Sequence, residues 1–447
     1  MAMLINVTAV LVMILGGWPV PHLGAQPAQP AAGTPEVPYE LRLNLREAMD
    51  AAVDNNPNVR LYKERIEAAR AQSLTQLGAL LPNLSSTVRQ TNQTLFLGTL
   101  GLAPVRTAPF SIFDARANVS QSIFSLSLIQ RWKASREAMK VAELESETTR
   151  FDAMSAVALL YIEALKARET VKAREANLKI FEELLNLFRG RRGGGMATGL
   201  DTARLEAQAE NERQQLTAAQ YEAERLVLNL IHGLGISYDV RLILTDSLKT
   251  DTTGSVAIPE AMEKAMTQRV EVKAQTQRIK TTSLTLNSTT SERLPSLAAQ
   301  GDYGLIGNRW TNTLDTYNIG VYLSIPLFDG GQREGRISES RSLVRQEQIK
   351  MQVVANQVGL EVREALVTLN SGKEQLSIAE SGLRASVTEL ALARERFSVL
   401  SSSNSLELTN ALFNVARARD NFIEAMFRFN AARVNLARAL GQLDQLS

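Results

Sequence analysis

The sequence predicts a mainly α-helical protein in two pseudo-repeats. Each repeat joins two β-strands to one long coiled-coil α-hairpin, and the strands belong to a shared β-barrel. Three observations carry this prediction. The first is a heptad seam between Arg333 and Leu400, a stretch with no proline. Val362, Leu369, Leu376, Leu383, Leu390 and Phe397 fall seven apart. Ala365, Gly372, Ala379, Ser386, Ala393 and Leu400 sit three residues after each. Large side chains alternate with small ones that let a neighbouring backbone come close. A strict repeat of seven against 3.6 residues per turn predicts a left-handed supercoil. The second observation is internal duplication. Residues 47–70 match 260–283, and Leu81-Pro82 keeps the same spacing to Leu294-Pro295. Leu200, Asn229-Leu230 and Leu234-Gly235 likewise match Leu406, Asn435-Leu436 and Leu440-Gly441. The third is a switch of period from helical to two-residue alternation inside each half.

Composition narrows the function classes. The chain has 447 residues, 49 basic and 47 acidic, for a net charge of +2. Charges of both signs are interspersed, without the basic face or block of a nucleic-acid binder. No cysteine is present, which removes disulfides, thiolate metal sites and cysteine nucleophiles. His22 and His232 are the only histidines, too few for a histidine metal cluster. No cofactor is expected.

Residues 3–16 form an apolar run too short to span a membrane, which fits a secretory h-region. Residues 1–25 are therefore expected to be a signal peptide with cleavage near Ala25, and 26–42 a linker. Beyond this leader no apolar stretch reaches the length of a membrane helix.

The first repeat is expected over 43–235. It opens at Leu43-Asn44-Leu45 with a helix broken near Asn55-Asn56-Pro57. Pro82 ends that helix, because proline cannot extend the hydrogen-bond ladder. Strands follow within about 84–124. Phe113, Ala115, Ala117 and Val119 alternate with Asp114, Arg116, Asn118 and Ser120. A helical hairpin is expected over about 126–233, with a seam from Val157 to Phe188 that only Arg174 breaks. Its tip is the glycine-rich run 189–201, where Thr198 or Asp201 is positioned to cap the returning helix. Residues 236–258 connect the halves, with one strand at Val240–Leu244.

The second repeat is expected over 259–441, leaving 442–447 as a tail. Strands lie within about 296–328 and a hairpin over about 333–440. Tyr317, Ile319, Val321, Leu323, Ile325 and Leu327 alternate with polar or small residues, Tyr322 excepted. Each strand spans about ten residues, the length of a tilted membrane strand. Ile319, Val321, Leu323 and Ile325 are the candidate lipid-facing residues. Four strands cannot close a membrane barrel, because backbone in lipid must satisfy all its hydrogen bonds. Several copies of the chain must share one barrel. Nine extra residues in the first copy fall between Pro82 and Val119 and mark a loop.

Gly194 and Gly199 have phosphate-loop spacing, but Leu200-Asp201 stands where Lys-Ser/Thr is needed, and a helix precedes the run instead of a strand. No catalytic triad, carboxylate pair or metal spacing stands out, so an enzyme is not expected.

In this order, the pieces resemble the TolC-type outer-membrane efflux factors over about residues 40–441. The pieces are Leu45-Arg-Glu-Ala with Asn-Asn-Pro57, the Leu-Pro pairs at 82 and 295, and Leu323-Ser-Ile-Pro-Leu-Phe-Asp-Gly-Gly331. Arg396-Phe397 with Leu406-Glu407 and Ala439-Leu440-Gly441 complete them. The resemblance implies a homotrimer with a twelve-stranded barrel in outer-membrane lipid and a twelve-helix periplasmic tunnel. It implies a passive exit duct for efflux or type I secretion. The partners implied are a periplasmic adaptor (membrane fusion) protein and an inner-membrane pump of RND or ABC type. Arg192, Gly195, Thr198, Leu200, Asp201, Arg396, Phe397, Ser402 and Leu406 are then the adaptor-contacting tip residues. The family's acidic gate maps onto Glu407 and, where a second acid is usual, Asn410. That change leaves one charge per chain in the layer. The competing reading is a soluble periplasmic coiled-coil scaffold or adaptor, which has one hairpin where this chain has two.

Overall fold

The structure is a computed structural model that describes residues 39–193, 199–251, 257–399 and 405–445. The leader 1–25, the linker as far as Pro38, and Gly195, Thr198 and Ser402 lie outside the described residues. The chain divides into two compact units, Met1–Glu40 with Asp239–Arg241, and Leu41–Tyr238 with Leu242–Ser447. In the first, Glu40 pairs with Arg241 at 3.6 Å. The second holds all the described helices and the four long strands.

Strand β1 (Tyr39–Leu43) leads into helix α1 (Leu45–Asn55). Asn44 accepts from the backbone N–H of Glu47 while Glu47 accepts from that of Asn44, both at 2.8 Å, a reciprocal capping box. The break at Asn55-Asn56-Pro57 is a new start. Asn56 caps helix α2 (Pro57–Gly78), accepting from the N–H of Asn58 at 2.9 Å. Pro57 sits in the first turn, where a missing N–H costs nothing. Strands β2 (Asn83–Gln93) and β3 (Phe110–Phe124) follow, then helices α3 (Leu126–Gly193) and α4 (Gly199–Leu234). After strand β4 (Val240–Leu244) the plan repeats. Helices α5 (Ile258–Gln268) and α6 (Val270–Ser291) precede strands β5 (Ser296–Arg309) and β6 (Asn312–Ser324). Helices α7 (Gln332–Val399) and α8 (Ser405–Leu440) complete it. Corresponding helices of the two halves have equal lengths of 11, 22, 68 and 36 residues. At ~1.5 Å per residue the longest run roughly 100 Å.

Three corrections to the sequence reading concern strands. The segment 39–43, assigned mostly to the linker, is β1 and pairs with β4. The four long strands have 11, 15, 14 and 13 residues, longer than ten. Ile325 falls just past the end of β6, ahead of Pro326, which has no N–H to give the ladder. Asp201, offered as a cap, instead lies in the first turn of α4.

The four long strands form one antiparallel sheet in the order β2-β3-β5-β6. The helices beneath it run in a matching row. Helix α3 packs on α2 and α6, and α6 on α7; further along, α4 packs on α3, α3 on α8, and α8 on α7. Three apolar clusters hold these helices. One surrounds Tyr161 and takes in α1, α3, the end of α4 and both short strands. A second joins α5, α7 and α8 around Val362 and Phe429. The third lies at the far end, where Phe181, Phe188, Leu205, Phe397, Leu408 and Leu412 meet.

Tyr161 is fully buried. Its hydroxyl faces the carbonyl of Leu43 at 3.0 Å and Asp246 Oδ2 at 3.2 Å, and it accepts from the N–H of Asp246 at 3.3 Å. Burial pushes the phenol from its ordinary 10 up to about 12. The folded value is the higher, so this stabilisation is complete below pH 10 and is lost as pH rises through about 12. Tyr161→Phe should cost about 1–2 kcal/mol at neutral pH and remove that part of the alkaline transition. Thermal melts of both proteins from pH 8 to 12 check this; parallel curves would refute it.

Candidate functional site

Two regions bear on function, the sheet and the hairpin tips. The strand register sorts side chains between two faces. Leu84 lies opposite Val119, Ala115 opposite Leu305, and Ala117 opposite Tyr303. Tyr303 lies opposite Tyr317, Gly301 opposite Ile319, Ala299 opposite Val321, and Leu297 opposite Leu323. All belong to one face. Ile319 is 80% exposed, and Val321 and Leu323 are exposed with it. The other face carries charge. Arg116 bridges Asp114 and Asp302, each at 2.6 Å, and Arg89 approaches Asp114 at 3.7 Å. An apolar face backed by a polar one is the pattern of a strand between lipid and water. Among the described residues, β2 and β6 are edges without a further neighbour. No helix among the described residues is long and apolar enough to cross a membrane.

At the tips, Phe188 of α3 stacks on Phe397 of α7, with ring centroids 4.8 Å apart and planes at 13°. Phe397 is buried in this contact. It therefore builds the tip and is not presented to a partner, a correction to its assignment as a docking residue. Leu200 and Leu406 are exposed, as that assignment requires. Arg192 lies in the last turn of α3.

Glu407, in the first turn of α8, is half exposed and pairs with Arg396 of the same hairpin at 3.0 Å. Asn410 is exposed and stands on the same face, three residues on. Beside them is a groove of 960 Å³ whose lining includes Glu389, Leu392, Glu395, Arg396 and Glu407. Glu389 accepts from Asn414 of α8 at 3.1 and 3.2 Å. Sequence reasoning missed Glu389 and Glu395. The signal that finds Glu389 is its position seven residues before Arg396, which sets both on one stripe of α7.

Arg174, the break in the seam of α3, lies between the tip cluster and the cluster around Tyr161. It reaches Glu212 of α4 at 3.4 Å and Asp420 of α8 at 2.7 Å. Asn177 donates to Glu212 at 3.3 Å and accepts from Arg419 at 2.6 Å. Asn177 and Glu212 are buried, and burial holds Arg419 below the ordinary arginine value. This polar layer ties both hairpins at one level. Among the described residues no group of His, Asp and Glu is placed to hold a metal ion.

The family model described as outer membrane efflux protein matches residues 48–235 and 261–442. The pyoverdine export outer membrane protein OpmQ of Pseudomonas aeruginosa is 24% identical over 68% of this chain. The chain spans 65% of that relative's length, just under two thirds. The probable efflux pump outer membrane protein TtgC of Pseudomonas putida is 22% identical over 89% of this chain and 82% of its own. A membrane protein from Pseudomonas aeruginosa has the same fold with a TM-score of 0.77 at 20% identity, over 93% of this chain and 98% of its own. The CmeC outer membrane channel of Campylobacter jejuni superposes with a TM-score of 0.74 at 18% identity, over 89% and 85%.

Proposed function

We propose, since this chain belongs to the outer membrane efflux protein family, that it is the passive outer-membrane exit duct of a tripartite efflux or type I secretion system. The observation that carries this is the open sheet, with one apolar face, one charged face and two unpaired edges. Unpaired edges are not tolerated in lipid. If β6 of one copy pairs with β2 of the next, three copies close a twelve-stranded barrel with no edge left. The helix row supports the same assembly. Its outer member α7 exposes Ile349, Val353, Leu360, Val367 and Ile378, an apolar stripe that a neighbouring copy would cover. The soluble scaffold reading leaves the sheet's apolar face in water, and the family match does not favour it.

In this reading, cargo passes from a periplasmic adaptor and an inner-membrane pump into the tunnel, and the chain performs no chemistry. Leu200, Leu406 and Arg396 supply the exposed tip surface for the adaptor. Glu407 contributes the single acidic position per copy of the gate, with Asn410 beside it. The deciding measurement is the mass of the detergent-extracted particle from the outer-membrane fraction. A trimer is expected; a detergent-independent monomer would overturn the duct.

The gate reading has its own test. The Arg396–Glu407 pair is exposed to water on both sides, so its removal should change stability by less than about 1 kcal/mol. Glu407→Ala alone should therefore leave planar-bilayer conductance within a few fold of the parent. An opening as large as that of a packing variant at the tip would show the gate to be electrostatic.

A further inference from the structure

The two halves differ most at the outer turn of the sheet. In the second half, β5 and β6 are joined by Trp310-Thr311 alone. In the first, residues 94–109 intervene, and they are built. The N–H of Thr107 donates to Leu95 O at 2.8 Å, and that of Leu97 to Val105 O at 2.9 Å. Leu95 N donates to Thr107 Oγ1 at 2.8 Å. An isolated bridge pairs Phe96 with Arg106, and a 3₁₀ turn runs over Leu97–Leu100. The β2–β3 hairpin thus continues past the end of its ladder as an ordered extension. That extension exposes Leu95, Phe96, Leu102 and Val105. Four large apolar side chains on one ordered turn are a contact surface in search of a cover.

We propose that the cover is a second copy of this chain: the 94–109 extension seats against the β5–β6 turn of the adjacent copy, on Trp310 and Leu314. The inference rests on the shared-barrel reading. The topology supplies the juxtaposition. The extension grows from the outer end of β2, one free edge of the sheet, and Trp310 and Leu314 stand at the outer end of β6, the other free edge. Antiparallel closure of β6 on β2 brings these two outer ends together. Both sides are apolar and uncovered within the chain, Trp310 being 63% and Leu314 75% exposed. The asymmetry also fits. Each seam between copies needs one extension and one short turn, and each chain supplies one of each. A longer loop in both halves would put two extensions at every seam, the second growing from the β5–β6 turn at the other edge. The contact would cap each seam at its outer end, where the ladder between copies is otherwise open to fraying.

The chain has no cysteine, so introduced thiols report without background. Ala103→Cys and Thr311→Cys together leave the apolar side chains intact. A short bismaleimide applied to outer membranes should then convert most monomer on a denaturing gel into covalent dimers and trimers, and each single variant should stay monomeric. A trimeric particle in which the pair does not cross-link overturns the contact and leaves the duct standing. Cross-linking of Ala103→Cys alone overturns it in favour of extensions meeting one another over the pore. Strong protection of Ala103→Cys from a water-soluble maleimide by lipid alone, without cross-linking of the pair, overturns it in favour of the outer leaflet. A particle that is not a multimer overturns the shared barrel itself, and the contact with it.

Discussion

Phe188→Ala is expected to open the tip end of the duct, raising conductance in planar bilayers by about tenfold or more. The Phe188 ring is 1% exposed and lies on Phe397 in the cluster that joins both hairpins. Truncating a buried phenylalanine costs about 3–5 kcal/mol through lost transfer energy and the cavity left behind. A tenfold change in an equilibrium needs only about 1.4 kcal/mol. The packing loss thus exceeds what the exposed Arg396–Glu407 pair holds. Phe397→Ala removes the other ring of the stack and should behave alike, and the double variant should add little, since the two substitutions share one contact. An unchanged conductance in both single variants would show that tip packing does not hold the far end shut.

Arg174→Met should lower stability by about 3–5 kcal/mol, the cost of leaving a buried charge without its partner. Glu212 is the charge abandoned, since Asn177 alone still donates to it. Asp420 is more exposed and regains water. Adding Glu212→Leu should recover most of the loss, because an apolar pair of similar volume commonly matches a buried ion pair. Guanidinium midpoints of the parent, single and double variants in detergent measure both steps. A single variant within about 1 kcal/mol of the parent would mean that the layer is solvated in the assembled protein.

Much of the fold can be read from periodicity. The stretch Arg333–Leu400 becomes α7 within one residue at each end. The Asn55-Asn56-Pro57 break and the strand Val240–Leu244 also appear where local chemistry places them, whereas the helix expected to run up to Pro82 already ends at Gly78. Strand β1 was illegible because its reason is not local. Five residues after a proline-rich leader become a strand through a partner some two hundred positions away. The strands run past ten residues because the ladder continues beyond the stretches of clear alternation. Arg174 was visible as a flaw in a seam, but its partners on α4 and α8 lie 38 and 246 residues off. Glu407 and Asn410 were placed by resemblance, which said nothing of Arg396 as a partner. Phe397 was misassigned for the opposite reason. Its heptad position already marked it as core, and the resemblance overrode that signal.

The two free edges of the sheet have a genetic consequence. If three copies share one barrel, as proposed above, a chain that needs two identical neighbours cannot be judged one allele at a time. Suppose a variant keeps β2 intact but carries a defective β6. It still enters assemblies through its good edge and offers the next copy nothing to pair with. Expressed at equal level with the parent, random mixing leaves only about one assembly in eight built wholly from sound chains. Damage to one edge should thus be dominant, whereas damage to both edges of the same chain should be recessive, because such a chain is excluded from every particle. The more heavily damaged allele would be the more benign one.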